Sequence, residues 1–130
     1  MEASSPDLLS ALSEFAQGLL APLLAVGISV VYFLASPRSE PLGRRVLSSM
    51  HGVAIALLYI LALSVHWAGQ AEPRYGAVFI ASLAIPVACI GTSLLLFRGR
   101  RVIHALQLPN LLCLAWTGFV GVMAVTGDWL

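Results

Sequence analysis

Charged residues are segregated along this chain in a way that few folds allow. Residues 15–37, 46–71, 75–97 and 102–127 contain no Asp, Glu, Lys or Arg. About 20 apolar residues in an α-helix, rising 1.5 Å per residue, cross the hydrocarbon core of a bilayer, so each stretch is long enough to span a membrane. We therefore predict an all-α, polytopic membrane protein with a single four-helix transmembrane domain over residues 1–130.

Composition and sequence pattern argue against a soluble helical bundle and against a membrane barrel. Hydrophobic residues make up 59% of the chain and charged residues 10%. A soluble bundle would repeat polar residues along one face of each helix, and the strands of a membrane barrel would alternate polar and apolar residues. Neither pattern is present in the four stretches. The predicted spans are approximately 15–36, 46–67, 76–97 and 102–126, preceded by an interfacial N-terminal extension over 6–14.

The arginines predict the orientation of these spans. All seven basic residues are arginines, and only Arg74 lies outside the connections that follow the first and third spans. Because cytoplasmic loops carry the excess of basic residues, we predict both termini on the non-cytoplasmic side of a cell inner membrane. The acidic start lacks the basic region of a signal peptide, so the first helix is expected to stay in the mature protein. The abundance of Arg, Ala, Gly and Leu without lysine is typical of a GC-rich bacterial genome. The predicted cytoplasmic arginines include Arg44, Arg45, Arg100 and Arg101.

The two halves of the chain resemble each other. Four residues of the first span recur at one spacing in the third, where Pro22, Gly27, Ser29 and Phe33 match Pro86, Gly91, Ser93 and Phe97. A Gly-Arg-Arg-Val block then begins at Gly43 and again at Gly99. Chance matches are common in apolar sequence, but the shared register favours two parallel-repeat helical hairpins. The matched prolines predict kinks that shape the helices or form a paired hinge or ligand point.

Small side chains indicate where the helices approach each other. Lipid provides no hydrophobic drive between helices, so they associate where small residues allow close contact. Span four carries polar and small residues on one side and should turn that side inward. The residues predicted to pack between helices are Gly52, Ala56, Ala84, Ala88, Gly91 and Gly121.

Two histidines lie at similar depth near the predicted cytoplasmic face. His51 is about 9 Å and His104 about 4.5 Å inside the neighbouring arginines at helical rise. Facing imidazoles could ligate a b-type haem whose propionates pair with arginines. The alternative is that they bond to headgroups or backbone carbonyls. Two more polar residues, Gln107 and Asn110, lie beside Pro109, where a freed carbonyl could help to form a small polar pocket. They could bond across helices, or contact a quinone, lipid or substrate.

The sequence contains no catalytic motif, paired carboxylates or metal-binding pattern. We therefore predict no enzyme, no metal, no nucleic acid partner and, apart from the haem alternative, no cofactor. An ion-coupled transporter usually needs a buried ionisable group, and Glu14 lies only at the outer edge of span one. We expect a protein that acts by contact with a membrane-protein partner or a second copy, as an accessory subunit, an assembly factor or an immunity-type factor. The alternatives are a small oligomeric transporter or channel, and a haem- or quinone-linked electron-transfer subunit using His51 and His104.

Overall fold

The chain folds into α-helices joined by short turns. The structure, a computed structural model, describes residues 8–96 and 101–128, and all regular structure in these ranges is helical. Several positions named in the sequence analysis lie outside the described residues. They are Arg100, the repeat position Phe97 and the start of the predicted N-terminal extension. The side chain of Glu14 is not described either. The helices are α1 (Leu8–Ala35), α2 (Leu42–Ser49), α3 (His51–Trp67), α4 (Tyr75–Ser82), α5 (Ala84–Leu96), α6 (Arg101–His104) and α7 (Gln107–Thr126).

Up to four segments have the length and composition of membrane spans. Three continuous or nearly straight segments qualify by themselves: Gly18–Ala35, Tyr75–Leu96 and Arg101–Thr126. The fourth would combine α2 with α3, which meet at Met50 with a bend of 52°. The sequence prediction treated 46–67 as one span and did not indicate this bend.

Two helix interruptions lie next to prolines. α4 and α5 separate at Leu83, shortly before Pro86, and α6 and α7 separate at Ala105 and its neighbour, shortly before Pro109. Proline has no N–H to donate to the carbonyl four residues earlier, and its ring clashes with that carbonyl, so the preceding turn loosens. By contrast, α1 continues through Pro22 without interruption. The matched prolines therefore do not have matched effects on helix continuity.

Glycine ends two of the long helices. Gly69 follows α3 with φ of 67° and donates its N–H to the carbonyl of His66 over 3.0 Å. Gly127 follows α7 with φ of 78° and donates to the carbonyl of Met123 over 2.9 Å. A left-handed residue after the last turn satisfies helix carbonyls that have no partner inside the helix, and glycine adopts this conformation without strain.

Side-chain bonds gather the short helices α2 and α6 around the last turns of α1. Arg45 of α2 donates to Ser36 Oγ over 2.8 Å and to the carbonyl of Phe33 over 3.3 Å. The Tyr32 hydroxyl donates to the carbonyl of Ile103 in α6 over 3.0 Å. The start of α2 and all of α6 therefore lie at the same end of the molecule, which we call the arginine end.

The opposite end is joined by the connection between α3 and α4. The N–H of Glu72 donates to the carbonyl of Val125 near the end of α7 over 2.8 Å. Arg74 lies in this connection and pairs with Glu72 over 2.5 Å. Arg74 is therefore separated by the length of the bundle from Arg44, Arg45 and Arg101.

Glycines permit close helix contacts in the bundle. α3 packs against both α1 and α7, and α4 packs against α7. A Cβ atom on Gly52 would overlap the backbone carbonyl of Ala25, and one on Gly121 would overlap the ring of Phe79. These two glycines and Ala56 are buried where the sequence predicted helix packing.

Candidate functional site

The most polar region of the interior lies between α1, α3, α5 and α7. Five side chains there are almost completely buried, with fractional exposures between 0 and 4%. They form what we call the polar cluster, which consists of Tyr32, His51, Ser93, Gln107 and Asn110. A polar group in an apolar interior costs free energy unless it is hydrogen-bonded, so the cluster is stable only if its members bond to one another.

Hydrogen bonds connect four of these side chains in one chain. Asn110 Nδ2 lies 2.9 Å from His51 Nδ1 and donates to Gln107 Oε1, also over 2.9 Å. Gln107 Nε2 donates in turn to Ser93 Oγ over 3.5 Å, which is a longer and weaker contact. This series of hydrogen bonds links α3 to α7 and α7 to α5, so it joins helices from both halves of the sequence.

Tyr32 adds α1 to the same cluster. Its ring meets the His51 imidazole edge to face, with centroids 4.6 Å apart and an interplanar angle of 83°. Its hydroxyl bonds to the Ile103 carbonyl and also interacts with the Gln107 and Ser93 side chains. Edge-to-face aromatic contacts are worth about 0.5–1.5 kcal/mol beyond area burial. Tyr32 thus packs α1 against the imidazole of α3.

Helix starts place two members of the cluster. His51 is the first residue of α3 and Gln107 the first of α7, each directly after an interruption of the helix. The residues before them, Met50 and Leu106, have similar backbone angles, with φ of −76° and −68° and ψ of −11° and −15°. In both places the first side chain of the following helix is buried in the bundle.

Ser29 of α1 supplies a cap that α3 lacks locally. Residue Met50 at the N-terminus of α3 makes no side-chain capping bond. Ser29 Oγ instead accepts the N–H groups of Gly52 over 2.9 Å and Val53 over 3.2 Å. The first N–H groups of a helix have no partner inside it, so a buried helix start needs such an acceptor.

The structure brings together three of the four predicted ligand candidates. His51, Gln107 and Asn110 are the members joined by the two 2.9 Å bonds. His104 is half-buried at the end of α6, one turn before Gln107. The imidazole of His51 faces Tyr32 and Asn110, so the haem hypothesis gains no support from this arrangement. Among the residues that the structure describes, no group of three His, Cys, Asp or Glu side chains could hold a metal ion.

Three buried polar atoms lack a hydrogen-bond partner within the described ranges. They are His51 Nε2, Asn110 Oδ1 and Thr117 Oγ1. Each could accept or donate one further bond, to a water or to a small polar ligand. The described cluster contains no carboxylate, so it offers hydrogen bonding and no acid–base pair of opposite charge.

Three residues of the site were not identified from the sequence as parts of it. Tyr32 carried no distinguishing signal. Ser29 and Ser93 were matched positions of the repeat, and Ser29 was also one of the small residues expected to pack between helices, but neither was predicted as a site residue. Both serines are buried in apolar helices, where an isolated hydroxyl needs a partner. That requirement, applied to each serine in a charge-free stretch, is the signal that could have found them.

The predicted packing residues of α5 have a different place from those of α3 and α7. Ala84 and Ala88 are exposed, and a Cβ on Gly91 would meet no atom within 4 Å. Inside this chain they therefore make no close helix contact. The reason is helical geometry: the inward face is formed by Phe79, Pro86, Ile90 and Ser93, and the small residues lie on the other side of the helix.

Comparison with family models, curated proteins and solved structures gave no match to this chain.

Proposed function

We propose that this chain is an integral protein of a bacterial inner membrane that crosses the bilayer four times. The support is its surface: large apolar side chains are exposed on every long helix, including Leu34 and Leu112 at 72% each. Soluble monomers rarely expose contiguous apolar patches larger than a few hundred Å². Lipid, unlike water, is as apolar as these leucines and solvates them without cost.

We propose the orientation from the separation of the arginines. Arg44, Arg45 and Arg101 lie at the arginine end, and Arg74 lies at the opposite end, where it is paired with Glu72. The positive-inside rule then puts the arginine end in the cytoplasm. The connection between α3 and α4, and both termini, would lie on the other side.

The same proposal includes two related hairpins. The second helix of each half is interrupted before its main segment, at Met50 and at Leu106, and these positions correspond in the register of the Gly-Arg-Arg-Val blocks. The matched serines also serve similar purposes, since Ser29 bonds to the start of α3 and Ser93 to Gln107 at the start of α7. Shared breaks and shared serine positions favour duplication over chance identity.

We further propose that the protein acts by contact with a transmembrane helix of another protein, as an accessory or assembly subunit. One observation carries this proposal: a stripe of small residues on α4 and α5 faces outward. We call it the outer stripe, and it consists of Ala77, Ala81, Ala84, Ala88 and Gly91. The spacing of four and three residues keeps these positions on one side of a helix. Small residues on a lipid-facing surface let a second helix approach closely, which large side chains prevent.

The first half of the chain provides an internal comparison. In the register that matches Pro22 to Pro86, the positions of Ala84 and Ala88 correspond to Leu20 and Leu24. Those leucines are 67% and 48% exposed on α1 and present an ordinary lipid-facing surface. The two hairpins therefore differ in side-chain size on their outer faces, and the outer stripe is the face suited to a helix partner.

Site-specific photocrosslinking in cells tests this function. A photoreactive residue at Ala84 should give an adduct with one membrane protein of defined mass, and Ala88→Leu should abolish that adduct. Ala115 is an exposed alanine on α7, so a photoreactive residue there and Ala115→Leu serve as matched controls. An adduct of twice the chain's mass would show that the partner is a second copy of this chain and not another protein. Equal adduct yields from Ala84 and Ala115, unaffected by Ala88→Leu, would contradict the proposal.

A further inference from the structure

The short helix α2 has an outer face that the bundle does not cover. Leu42, Val46 and Leu47 are 65%, 40% and 55% exposed, while Ser48 and Ser49 are buried against the bundle. α2 leaves the direction of α3 at the 52° bend after Ser49. A helix with one apolar outer side and arginines beside it is typical of segments that lie in the plane of a membrane surface.

Two exposed arginines lie at the same end of the molecule as this face, Arg44 on α2 and Arg101 on α6. Arg44 has a side chain that is 59% exposed, and its bond to Glu40 over 3.2 Å uses one of the five guanidinium donors. Arg101 is exposed at the start of α6, and Val102 after it is 88% exposed. Both short helices therefore present an exposed arginine together with an exposed apolar side chain on the same end of the molecule.

Arg45 is not part of this surface. Its guanidinium is bonded to Ser36 and to the carbonyl of Phe33, and it lies over the Phe33 ring with 4.6 Å to the centroid. These contacts fasten α2 to the last turn of α1. The angle of α2 relative to the bundle is thus fixed by the protein itself, which leaves its outer face available to a membrane surface.

We infer that α2 and α6 form a binding surface for anionic phospholipid, with Leu42, Val46 and Leu47 at the boundary of the acyl chains and Arg44 and Arg101 at the phosphates. This inference rests on the proposed membrane location and adds a lipid class to it. Basic residues next to an anionic membrane surface contribute about 1 kcal/mol each, which is about a fivefold change in affinity. The apolar side chains supply contact area that a free phosphate ion could not use.

The depth of α2 is tested by thiol labelling in nanodiscs of phosphatidylcholine and phosphatidylglycerol, where both faces are accessible. We expect Leu47→Cys to react with a polar maleimide at least tenfold more slowly than Ser39→Cys, which lies in the exposed turn before α2. The unaltered protein controls for Cys89 and Cys113. Equal rates at the two introduced cysteines would show that the outer face of α2 is in water and would overturn the inference.

Headgroup preference is tested by native mass spectrometry of protein supplied with equal amounts of both lipids with identical acyl chains. The unaltered protein should retain phosphatidylglycerol preferentially, and Arg44→Gln and Arg101→Gln should each reduce that preference about fivefold. Arg74→Gln, at the opposite end, should leave it unchanged. Equal retention of the two lipids, or an equal loss in the Arg74 variant, would refute the assignment. Failure to enter nanodiscs at all would instead refute the membrane location.

Discussion

The contact between Gly52 and Ala25 leads to the sharpest prediction about stability. A Cβ at residue 52 would overlap the carbonyl oxygen of Ala25, lie 2.5 Å from its carbonyl carbon and lie 2.6 Å from Ser29 Oγ. Two of the obstructing atoms belong to the backbone, so no rotamer change removes the overlap. Gly52→Ala must therefore move α3 away from α1 along this contact.

The size of the effect follows from two losses. Overpacking of a well-packed interior costs about 1–3 kcal/mol. Separation of the helices also strains the bonds from the N–H groups of Gly52 and Val53 to Ser29 Oγ, each worth about 0.5–1.5 kcal/mol. We expect Gly52→Ala to lower the free energy of unfolding by about 3 kcal/mol.

Gly27 provides a matched control with the opposite sign. It lies within α1, and a Cβ there would meet no atom within 4 Å. Gly27→Ala should stabilise the helix by about 0.5–1 kcal/mol, because alanine loses less backbone freedom on folding. The assay is unfolding by increasing SDS in mixed micelles, followed by circular dichroism. If Gly52→Ala unfolds at or above the midpoint of Gly27→Ala, the close approach of α1 and α3 is wrong.

Three further predictions use the same unfolding assay. Gly121→Ala should destabilise the fold by about 1–3 kcal/mol through overlap with the Phe79 ring. The added change Phe79→Leu should restore most of that loss, because the obstructing atoms belong to a side chain. Strictly additive effects of the two changes would contradict the contact. Asn110→Ala should lower the free energy of unfolding by about 2–4 kcal/mol, because it leaves His51 Nδ1 and the Gln107 oxygen buried without their donor. An effect below about 0.5 kcal/mol would show that the cluster is not formed. Ser29→Ala should cost about 1–2 kcal/mol by removing the acceptor at the start of α3, with faster amide hydrogen exchange at the first turn of that helix; unchanged exchange there would contradict the capping bond.

Hydropathy and proline chemistry predict the long helices and two of their interruptions from the sequence. Most of each long helix lies in one of the four charge-free stretches. In the proposed bilayer, only a helix satisfies its own backbone over such a length of apolar chain. The carbonyls of Ser82 and Ala105, four residues before Pro86 and Pro109, lie at or next to the observed interruptions. Gln107, Asn110, Thr117 and Gly121 are all buried, as expected for the interior face of the last span.

The orientation of the α4 and α5 segment could not be derived in this way. In the proposed bilayer, hydrophobicity does not distinguish inward from outward faces, since a helix meets apolar surroundings on both sides. Small side-chain size predicts Ala84 and Ala88 as inward residues, whereas the inward contacts are made by Phe79 and Ile90. A large ring can pack tightly when the partner helix has the small residue, as Gly121 does for Phe79. Complementarity of that kind depends on two helices and is not visible in one.

The pairing of the polar cluster was equally hidden. Asn110 and His51 are separated by 59 positions, and nothing in either span specifies the other as a partner. Their contact depends on the register between α3 and α7, which in turn depends on where each helix begins. No proline lies beside the bend at Met50. The sequence feature next to the bend is the pair of buried serines that ends α2.

The hydrogen bonds of Asn110 also have a direction. Because its amide nitrogen gives one hydrogen to Gln107 and one to His51 Nδ1, the imidazole must be neutral with its proton on Nε2. A proton arriving at Nδ1 would face another donor, and relief would require the Asn110 amide to turn over. Its oxygen would then oppose the oxygen of Gln107, which would have to turn as well. Protonation of His51 at Nδ1 would therefore require both amides to reverse, so the bond between α3 and α7 depends on a neutral imidazole.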